Sequence, residues 1–281
     1  MLICRDPRSM HAWSRAQRTE GRRIACVPTM GALHAGHRAL IEEARRQGDV
    51  VVVSIFVNPL QFNRTDDFDK YPRPIDDDVD ACRKAGVEAV YAPTAAVMYP
   101  VGFQTHVDPG VLADSLEGSS RPGHFRGVAT VVAKLFGAMQ PDVAVFGQKD
   151  FQQLAIIRRM VVDLDIEVEI VAVPTVREPD GLAISSRNQR LSPEDRRAAV
   201  CLVEAMRDVA SAVAEGEHDA ERLVGLAGRR VKAEPRATVE YVRIVDPETL
   251  DPLAVVDQPA VILIAALFGD VHLIDNLLLV P

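Results

Sequence analysis

A chain of 281 residues with 48% hydrophobic and 26% charged residues is typical of a globular enzyme, and its length suits two compact domains. The net charge of −8 argues against the strongly basic surface of a nucleic-acid-binding protein, so a polyphosphate ligand would have to meet a local cluster of cations. The sequence has no apolar run near the ~20 residues of a membrane helix and no signal-peptide core, which are absences typical of a soluble cytoplasmic protein. The four cysteines form no C-x-x-C pair, so we expect reduced thiols.

The first informative stretch is residues 28–37, which lie between a predicted strand at 24–27 and a predicted amphipathic helix at 37–46. A strand, a glycine turn and a helix together direct backbone N–H groups and the positive end of the helix dipole at an anion. Gly31 and Gly36 lack a Cβ atom where a phosphate would approach the chain. This arrangement predicts a nucleotide site.

His34 and His37 lie in the same stretch and are three residues apart. That spacing places both rings on one face of the helix entrance, where they could donate hydrogen bonds to phosphate oxygens. An isolated H-x-x-H pair is more often an ordinary surface feature. Because this pair is embedded in a strand, a glycine turn and a helix, we assign it to the nucleotide site.

Strands and helices alternate along the chain from residue 24 to residue 172. The predicted strands are 24–27, 50–57, 89–91, 142–147 and 167–172, and the predicted helices are 37–46, 76–85, 128–139 and 151–162. Residues 66–73 are predicted as a charged loop, and 105–107 are a candidate short strand. The alternation predicts a Rossmann-like doubly wound parallel sheet, although neither a G-x-G-x-x-G fingerprint nor a P-loop motif occurs.

Polar residues follow two of these strands at their carboxyl ends, where ligands bind in open α/β sheets. Lys149 could neutralise phosphate oxygens of ATP and Asp150 could help to hold a metal ion, although such a pair is usually a solvated helix start. Gln61 and Gln153 each lie near the end of a different strand and could converge on a small polar acid. These four residues are candidates for a substrate site.

The pattern changes after about residue 176, and we predict two domains, at 1–176 and 177–281. Ser192 and Pro193 are typical of a helix start, and the predicted helices continue to residue 209 and cover 220–232. Three predicted strands follow at 238–245, 260–268 and 271–279, with the hairpin signal Gly269-Asp270 joining the last two. This order predicts a smaller α+β lid domain with an antiparallel sheet.

Residues 181–188 lie at the junction of the two predicted domains. Ser185, Ser186 and Arg187 place two hydroxyls and a guanidinium in one turn, which suits a phosphate-binding loop that closes over a ligand. A polar loop between two domains explains the same residues equally well. The segment alone leaves both interpretations open.

Six separated segments resemble, in order, the pantothenate synthetase (pantoate–β-alanine ligase) family of the H-x-G-H nucleotidyltransferase superfamily. They are residues 28–37, 56–62, 71–73, 116–128, 146–153 and 181–188. The first of them has the pattern P-T-M-G-x-L-H-x-G-H. The sequence departs slightly from the family pattern at two positions. Ile184 stands where the family usually has Met, and Gln148 stands where Glu is common. Neither change removes a charge or a hydroxyl that the chemistry uses.

The resemblance implies an enzyme of coenzyme A biosynthesis that condenses (R)-pantoate with β-alanine to pantothenate. The reaction would use ATP, release AMP and pyrophosphate, and pass through a pantoyl-adenylate intermediate. The first domain would bind ATP and pantoate. The resemblance further implies Mg²⁺ bound with ATP and a homodimer. Asp150 is the candidate metal ligand from its position at a strand end, and the net charge and the short apolar runs predict that the protein binds neither nucleic acid nor a membrane.

The same resemblance implies roles for individual residues. His37 is the proton donor to the departing phosphate, with His34 and Lys149 as further catalytic residues. Gln61 and Gln153 hold pantoate, and Gln61 also meets β-alanine. The implied ATP-binding residues are Met30, Gly31, Ala32, Leu33, His34, Ala35, Gly36, His37, Gly147, Gln148, Lys149, Asp150, Val176, Ile184, Ser185, Ser186 and Arg187.

Two other functions remain open at this stage. A different H-x-G-H nucleotidyltransferase would act on a phosphorylated substrate and need extra cations, whereas Gln61 and Gln153 suit a hydroxy acid. A non-catalytic nucleotide-binding protein on the same fold would be expected to have lost one of four residues. These are His34, His37, Lys149 and Arg187, and all four are present.

Overall fold

A computed structural model describes residues 1–63 and 65–281, without the side chains of residues 65–67. The chain divides into two compact units. The first comprises Met1–Gln148 and Gln152–Pro174, and the second comprises Lys149–Phe151 and Thr175–Pro281. The short segment 149–151 therefore groups with the second unit, although it follows a strand of the first. The domain boundary at residue 176 remains a prediction.

The first unit is built around a six-stranded sheet in which all neighbouring strands are parallel. In the order across the sheet, the strands are β1 (Leu2–Cys4), β4 (Ala89–Tyr91), β3 (Val50–Ile55), β2 (Ile24–Thr29), β5 (Val143–Gly147) and β6 (Glu169–Val173). The helices that accompany them are α1 (Pro7–Thr19), α2 (Ala35–Gln47), α3 (Thr65–Lys70), α4 (Ile75–Lys84), α5 (Ala95–Met98), α6 (Glu117–Ser120), α7 (His124–Met139) and α8 (Phe151–Asp163). The predicted doubly wound parallel sheet is confirmed.

The central strands β2 and β3 are buried on both faces. Even-numbered residues in 24–27 and 50–53 belong to one hydrophobic cluster, to which α1 and α7 contribute, and odd-numbered residues belong to a second cluster with α2 and α4. Successive side chains of a strand point to opposite faces of the sheet. A strand covered by helices on both faces therefore requires a continuous apolar run, which is what the sequence provides.

The strand order reverses between β2 and β5. The chain runs from β2 through β3 to β4 on one side, and from β5 to β6 on the other. Such a switch point leaves a crevice outside the carboxyl ends of the two strands, where ligands bind in open α/β sheets. Residues 30–37 follow β2, and Gly147 and Gln148 lie at the end of β5, so two segments of the predicted ATP set meet at this point.

The second unit packs helices against a three-stranded antiparallel sheet. Its strands β7 (Ala237–Val245), β8 (Ala260–Phe268) and β9 (Val271–Leu279) pair in sequence order, and Gly269 adopts a φ of +61° in the turn between the last two. The helices are α9 (Pro193–Ala198), α10 (Cys201–Ala214) and α11 (Ala220–Lys232). Apolar residues of α10, α11 and the sheet form one hydrophobic cluster. The predicted hairpin and antiparallel sheet are confirmed.

Several predicted bounds differ from the structure. β1 and α1 were not predicted, although Asp6 caps α1 by accepting a hydrogen bond from the Ser9 N–H at 3.0 Å. Residues 65–70 form α3 where a loop was predicted, and 105–107 do not form a strand. The strand predicted over 50–57 ends at Ile55, and α7 begins at His124, four residues before its predicted start.

The helix predicted from Ser192 to residue 209 is divided into α9 and α10. Its predicted start is confirmed, because Ser192 Oγ accepts from the Asp195 N–H at 3.0 Å. Ala199 and Val200, which link the two helices, keep right-handed helical dihedral angles. Apolar periodicity cannot reveal a break that preserves the helical phase, and it cannot reveal a strand as short as β1. Among the described residues, no helix is both long and apolar enough to span a membrane.

Candidate active site

The two histidines of residues 28–37 form the entrance of α2. His34 is the N-cap of this helix, and its Nδ1 accepts a hydrogen bond from the Gly36 N–H at 3.2 Å. His37 Nδ1 accepts from the His34 N–H at 3.2 Å, and the two ring centroids are 4.1 Å apart. A neutral histidine that accepts at Nδ1 carries its proton on Nε2. The structure therefore brings the predicted pair together as two Nε2–H donors.

The turn between β2 and α2 is held by a buried carboxylate from α4. Asp78 is 3% exposed, and its two oxygens accept from the N–H groups of Ala32 at 2.8 Å and Leu33 at 2.7 Å. Gly31 and Ala32 have φ angles of +84° and +51°, and a Cβ atom on Gly31 would lie 2.7 Å from Asp78 Oδ2. Glycine is therefore favoured at position 31 by its backbone conformation and by the close approach of Asp78.

Most backbone N–H groups of this turn already have acceptors within the protein. Five of them, in residues 31–34 and 36, donate to Thr29 Oγ1, to Asp78 or to the two histidine rings. This differs from the expectation that the turn directs these groups at an anion. Thr29, Asp78 and the two rings therefore hold the backbone conformation of this turn.

Replacing Asp78 with alanine should lower the free energy of unfolding by about 2–3 kcal/mol, because two partly buried backbone N–H groups lose a charged acceptor. Asp78→Asn should cost less, since its amide oxygen can still accept from one of them. Asp77→Ala is the matched control, because Asp77 is exposed on the same turn of α4. Urea denaturation measures all three variants, and equal stability of the two alanine variants would contradict this role of Asp78.

Gln61 lies in the 3₁₀ turn Pro59–Gln61, which follows β3. It is 8% exposed, and its Oε1 accepts a hydrogen bond from Asn58 Nδ2 at 3.0 Å. Its backbone carbonyl accepts from Arg121 Nη2 at 3.1 Å and lies 2.7 Å from His124 Nδ1. The cationic segment 116–128, which is too long for a simple connector, therefore supports the backbone of this predicted substrate residue.

The two glutamines at the start of α8 have different environments. Gln152 is buried, and its Nε2 donates to the carbonyls of Leu112 at 2.8 Å and Ser115 at 2.9 Å, so it holds the preceding loop in place. Gln153 is half-buried. Only β2 lies between β3 and β5, so the ends of these two strands are about 10 Å apart. Gln61 lies in the segment that follows β3, and Gln153 lies in the segment that follows β5.

Lys149 carries a partly shielded ammonium group. Its side chain is 17% exposed, and its Nζ lies 3.8 Å from Asp150 Oδ1. The Lys149 backbone carbonyl accepts a hydrogen bond from Asn276 Nδ2 at 2.8 Å. The separation of 3.8 Å is longer than a charge-assisted hydrogen bond, so Asp150 does not hold the ammonium group tightly. A shielded cation in this position is suited to an anionic ligand.

The predicted phosphate-binding loop of the second unit has an ordered backbone. An antiparallel bridge between Arg177 and Ala183 precedes a short 3₁₀ turn. Ile184 donates its N–H to the Val176 carbonyl at 2.9 Å, which brings two predicted ATP residues together. Ser185 Oγ accepts from the Arg187 N–H at 3.3 Å and caps the 3₁₀ turn Ser186–Arg190. The side chains of this loop are therefore presented by an ordered backbone.

The second unit contains an ion pair with a buried carboxylate that was not predicted from the sequence. Arg177 Nη1 and Nη2 lie 2.6 and 2.9 Å from the two carboxylate oxygens of Asp275, whose side chain is 1% exposed. Arg177 Nη1 also donates to the Gly181 carbonyl at 3.0 Å. The sequence indicates such a pair only through Asp275, a carboxylate within the mostly apolar strand β9. A carboxylate buried in a strand needs a partner. Asp78 was missed because it is one of three consecutive aspartates.

Metal ligands and nucleophiles are both scarce. Within residues 1–63 and 65–281, apart from the undescribed side chains, no group of three or more His, Cys, Asp or Glu residues is placed to hold a metal ion. Asp150 fits a Mg²⁺ ion that is bound mainly by substrate phosphates and only one or two carboxylates.

The four cysteines are buried and unpaired. Burial raises the pKa of the Cys82 and Cys201 thiols to about 12, so neither supplies a thiolate at neutral pH.

Comparisons with known proteins cover nearly the whole chain. The family model for pantoate-beta-alanine ligase matches residues 2–278. A pantothenate synthetase of Syntrophotalea carbinolica is 50% identical over 276 residues, which make up 98% of each chain. A crystal structure of the pantothenate synthetase from Thermus thermophilus matches with a TM-score of 0.94 and 45% identity, covering 100% of both chains. The pantoate-beta-alanine ligase from Francisella tularensis, complexed with beta-gamma ATP and beta-alanine, matches with a TM-score of 0.81 and 34% identity over 99% of this chain and 97% of that one.

Proposed function

The chain belongs to the pantoate–β-alanine ligase family, and on this premise we propose how its residues catalyse the ATP-dependent condensation of pantoate with β-alanine to pantothenate. One observation carries the proposal. His34 and His37 stand at the carboxyl end of β2, at the switch point of the sheet, with both Nδ1 atoms engaged and both Nε2–H groups as donors. Such a pair suits the phosphates of a nucleotide.

In the first step, a carboxylate oxygen of pantoate attacks the α-phosphorus of ATP. The bond from the α-phosphorus to the bridging oxygen breaks, and its electron pair leaves with pyrophosphate, so the product is pantoyl adenylate. We assign His37 as the proton donor to the departing phosphate, and His34 and Lys149 as the groups that stabilise its negative charge. Catalysis in this step depends on positioning and on charge stabilisation.

In the second step, the amine of β-alanine attacks the acyl carbonyl of the adenylate. The bond from the acyl carbon to the AMP oxygen breaks, the amine loses a proton, and pantothenate and AMP are released. No covalent bond to the enzyme is needed. The raised pKa of the buried thiols of Cys82 and Cys201 agrees with this route.

The substrate assignments follow the chemistry of the side chains. We assign Gln61 and Gln153 to pantoate and Gln61 also to β-alanine, because a neutral amide can donate to a carboxylate and accept from a hydroxyl or an amine. The proposed ATP set consists of residues 30–37, 147–150, 176 and 184–187, as the sequence predicted.

Three further features belong to the proposal. Mg²⁺ held by the ATP phosphates and Asp150 would add positive charge beside the leaving group. The protein acts as a homodimer in the cytoplasm, where the reducing environment suits four unpaired cysteines. The region 177–281 acts as a lid domain.

Isotope exchange tests the order of the two steps. We expect the enzyme to exchange labelled pyrophosphate into ATP when pantoate is present and β-alanine is absent, because the adenylate forms before any amine is needed. Exchange that required β-alanine would contradict the two-step mechanism. Exchange without pantoate would contradict the assignment of pantoate as the nucleophile.

The same assay tests the pantoate assignment at Gln153. Gln153→Ala should raise the KM for pantoate in the exchange assay about tenfold or more, with a much smaller change in the KM for ATP, since the loss of a substrate hydrogen bond acts on that substrate. Arg158→Ala is the matched control, because Arg158 is exposed on the same helix. Equal changes in both KM values for Gln153→Ala would contradict the assignment.

A further inference from the structure

A hydrogen bond connects the last strand of the chain to the backbone of Lys149. Asn276 lies on β9 and is 4% exposed, and its Nδ2 donates to the Lys149 carbonyl at 2.8 Å. Lys149 itself lies in the turn between β5 and α8, where no strand or helix fixes its backbone. Residues 149–151 group with the second unit by their contacts, and this hydrogen bond is one of the contacts that join them to it.

Asn276 is itself held in a defined position. Its backbone N–H donates to Asp275 Oδ1 at 2.8 Å, and its carbonyl accepts from Arg177 Nη2 at 3.2 Å. Both carboxylate oxygens of Asp275 accept from the Arg177 guanidinium. A bidentate Arg–carboxylate pair fixes orientation as well as distance. The donor of the Asn276 side chain therefore meets the Lys149 carbonyl from a rigid support.

We propose that Asn276 is a positioning residue, which places the Lys149 ammonium group for the ATP phosphates by holding the Lys149 backbone. The inference rests on the proposed role of Lys149 in the first step. A positioning residue does not itself contact the substrate, and Asp275 and Arg177 act one contact further away from Lys149 than Asn276. Positioning has a large effect on such a step, since displacement of a charged group by about 1 Å can cost about 100-fold in rate.

The experiment is a double-mutant cycle on the pyrophosphate–ATP exchange rate in the full-length enzyme. Asn276→Ala alone should lower kcat/KM for ATP about 10- to 100-fold, mostly through kcat, because Lys149 is assigned to the charge that develops in the transition state. In the Lys149→Ala background, the same substitution should cost less than about threefold, because the group that it positions is already absent. Asn276→Ser, which is also too short to reach the carbonyl, should behave in the same way and provides a second variant if alanine impairs folding.

Asp219→Ala is the control for a purely structural effect. Asp219 caps α11 in the same unit by accepting from the Arg222 N–H at 3.0 Å, so its loss should reduce stability without changing kcat/KM for ATP. An equal cost of Asn276→Ala in both backgrounds, or wild-type kinetics in Asn276→Ala, would overturn the positioning role. Wild-type kinetics in Lys149→Ala would overturn the catalytic assignment of Lys149 and, with it, the proposal for Asn276.

Discussion

Lys149→Ala should lower kcat/KM for the first step about 30- to 1,000-fold, which corresponds to about 2–4 kcal/mol of lost transition-state stabilisation. The physical reason is that the developing charge of pyrophosphate loses a cation whose side chain is 17% exposed, so solvent replaces it poorly. The fold should be retained, because the contact of the ammonium group with Asp150 is long and contributes little to stability. Pyrophosphate–ATP exchange with pantoate measures the effect.

Lys134→Ala provides the comparison for Lys149→Ala. Lys134, on α7, is also a half-buried cation, but its Nζ lies 5.3 Å from the centre of the Phe103 ring, and no substrate role is assigned to it. We expect this variant to keep wild-type exchange. A Lys149→Ala enzyme that matched it in rate would contradict the role of Lys149 in charge stabilisation.

His37 should have an effect of similar size, and its two ring nitrogens can be tested separately. His37→Asn keeps an acceptor near the position of Nδ1, which accepts from the His34 N–H, but removes the Nε2–H donor. Loss of a proton donor typically costs about 100- to 10,000-fold, so we expect His37→Asn to lower the exchange rate by about 100-fold or more. Single-turnover formation of the adenylate measures this step directly.

His37→Gln is the complementary variant, because its amide N–H group lies near the position of Nε2. It should recover part of the rate lost in His37→Asn through hydrogen bonding to the phosphate, although an amide cannot transfer a proton readily. If both variants formed the adenylate at the wild-type rate, the assignment of His37 would be wrong. If His37→Gln were slower than His37→Asn, the Nδ1 contact would matter more than the donor.

Short-range patterns made much of the site predictable. The apolar run of β2, the two glycines and the histidine pair all lie within residues 24–37, so the chain itself sets their relation. The same holds for Lys149 and Asp150 at the end of β5, and for the Gly269 hairpin. Each of these features depends on residues a few positions apart, which periodicity and turn chemistry can detect.

The sequence by itself therefore determined the fold class, the family resemblance and the location of the histidine pair. Only the tertiary structure decided which groups hold those residues. Asp78 meets Ala32 across 46 positions of the chain, and Asn276 meets Lys149 across 127. No local pattern encodes such partners, because a buried aspartate or asparagine can satisfy its hydrogen bonds on any element that packs against it. The packing of α4 against the β2 turn, and of β9 against residue 149, made that choice.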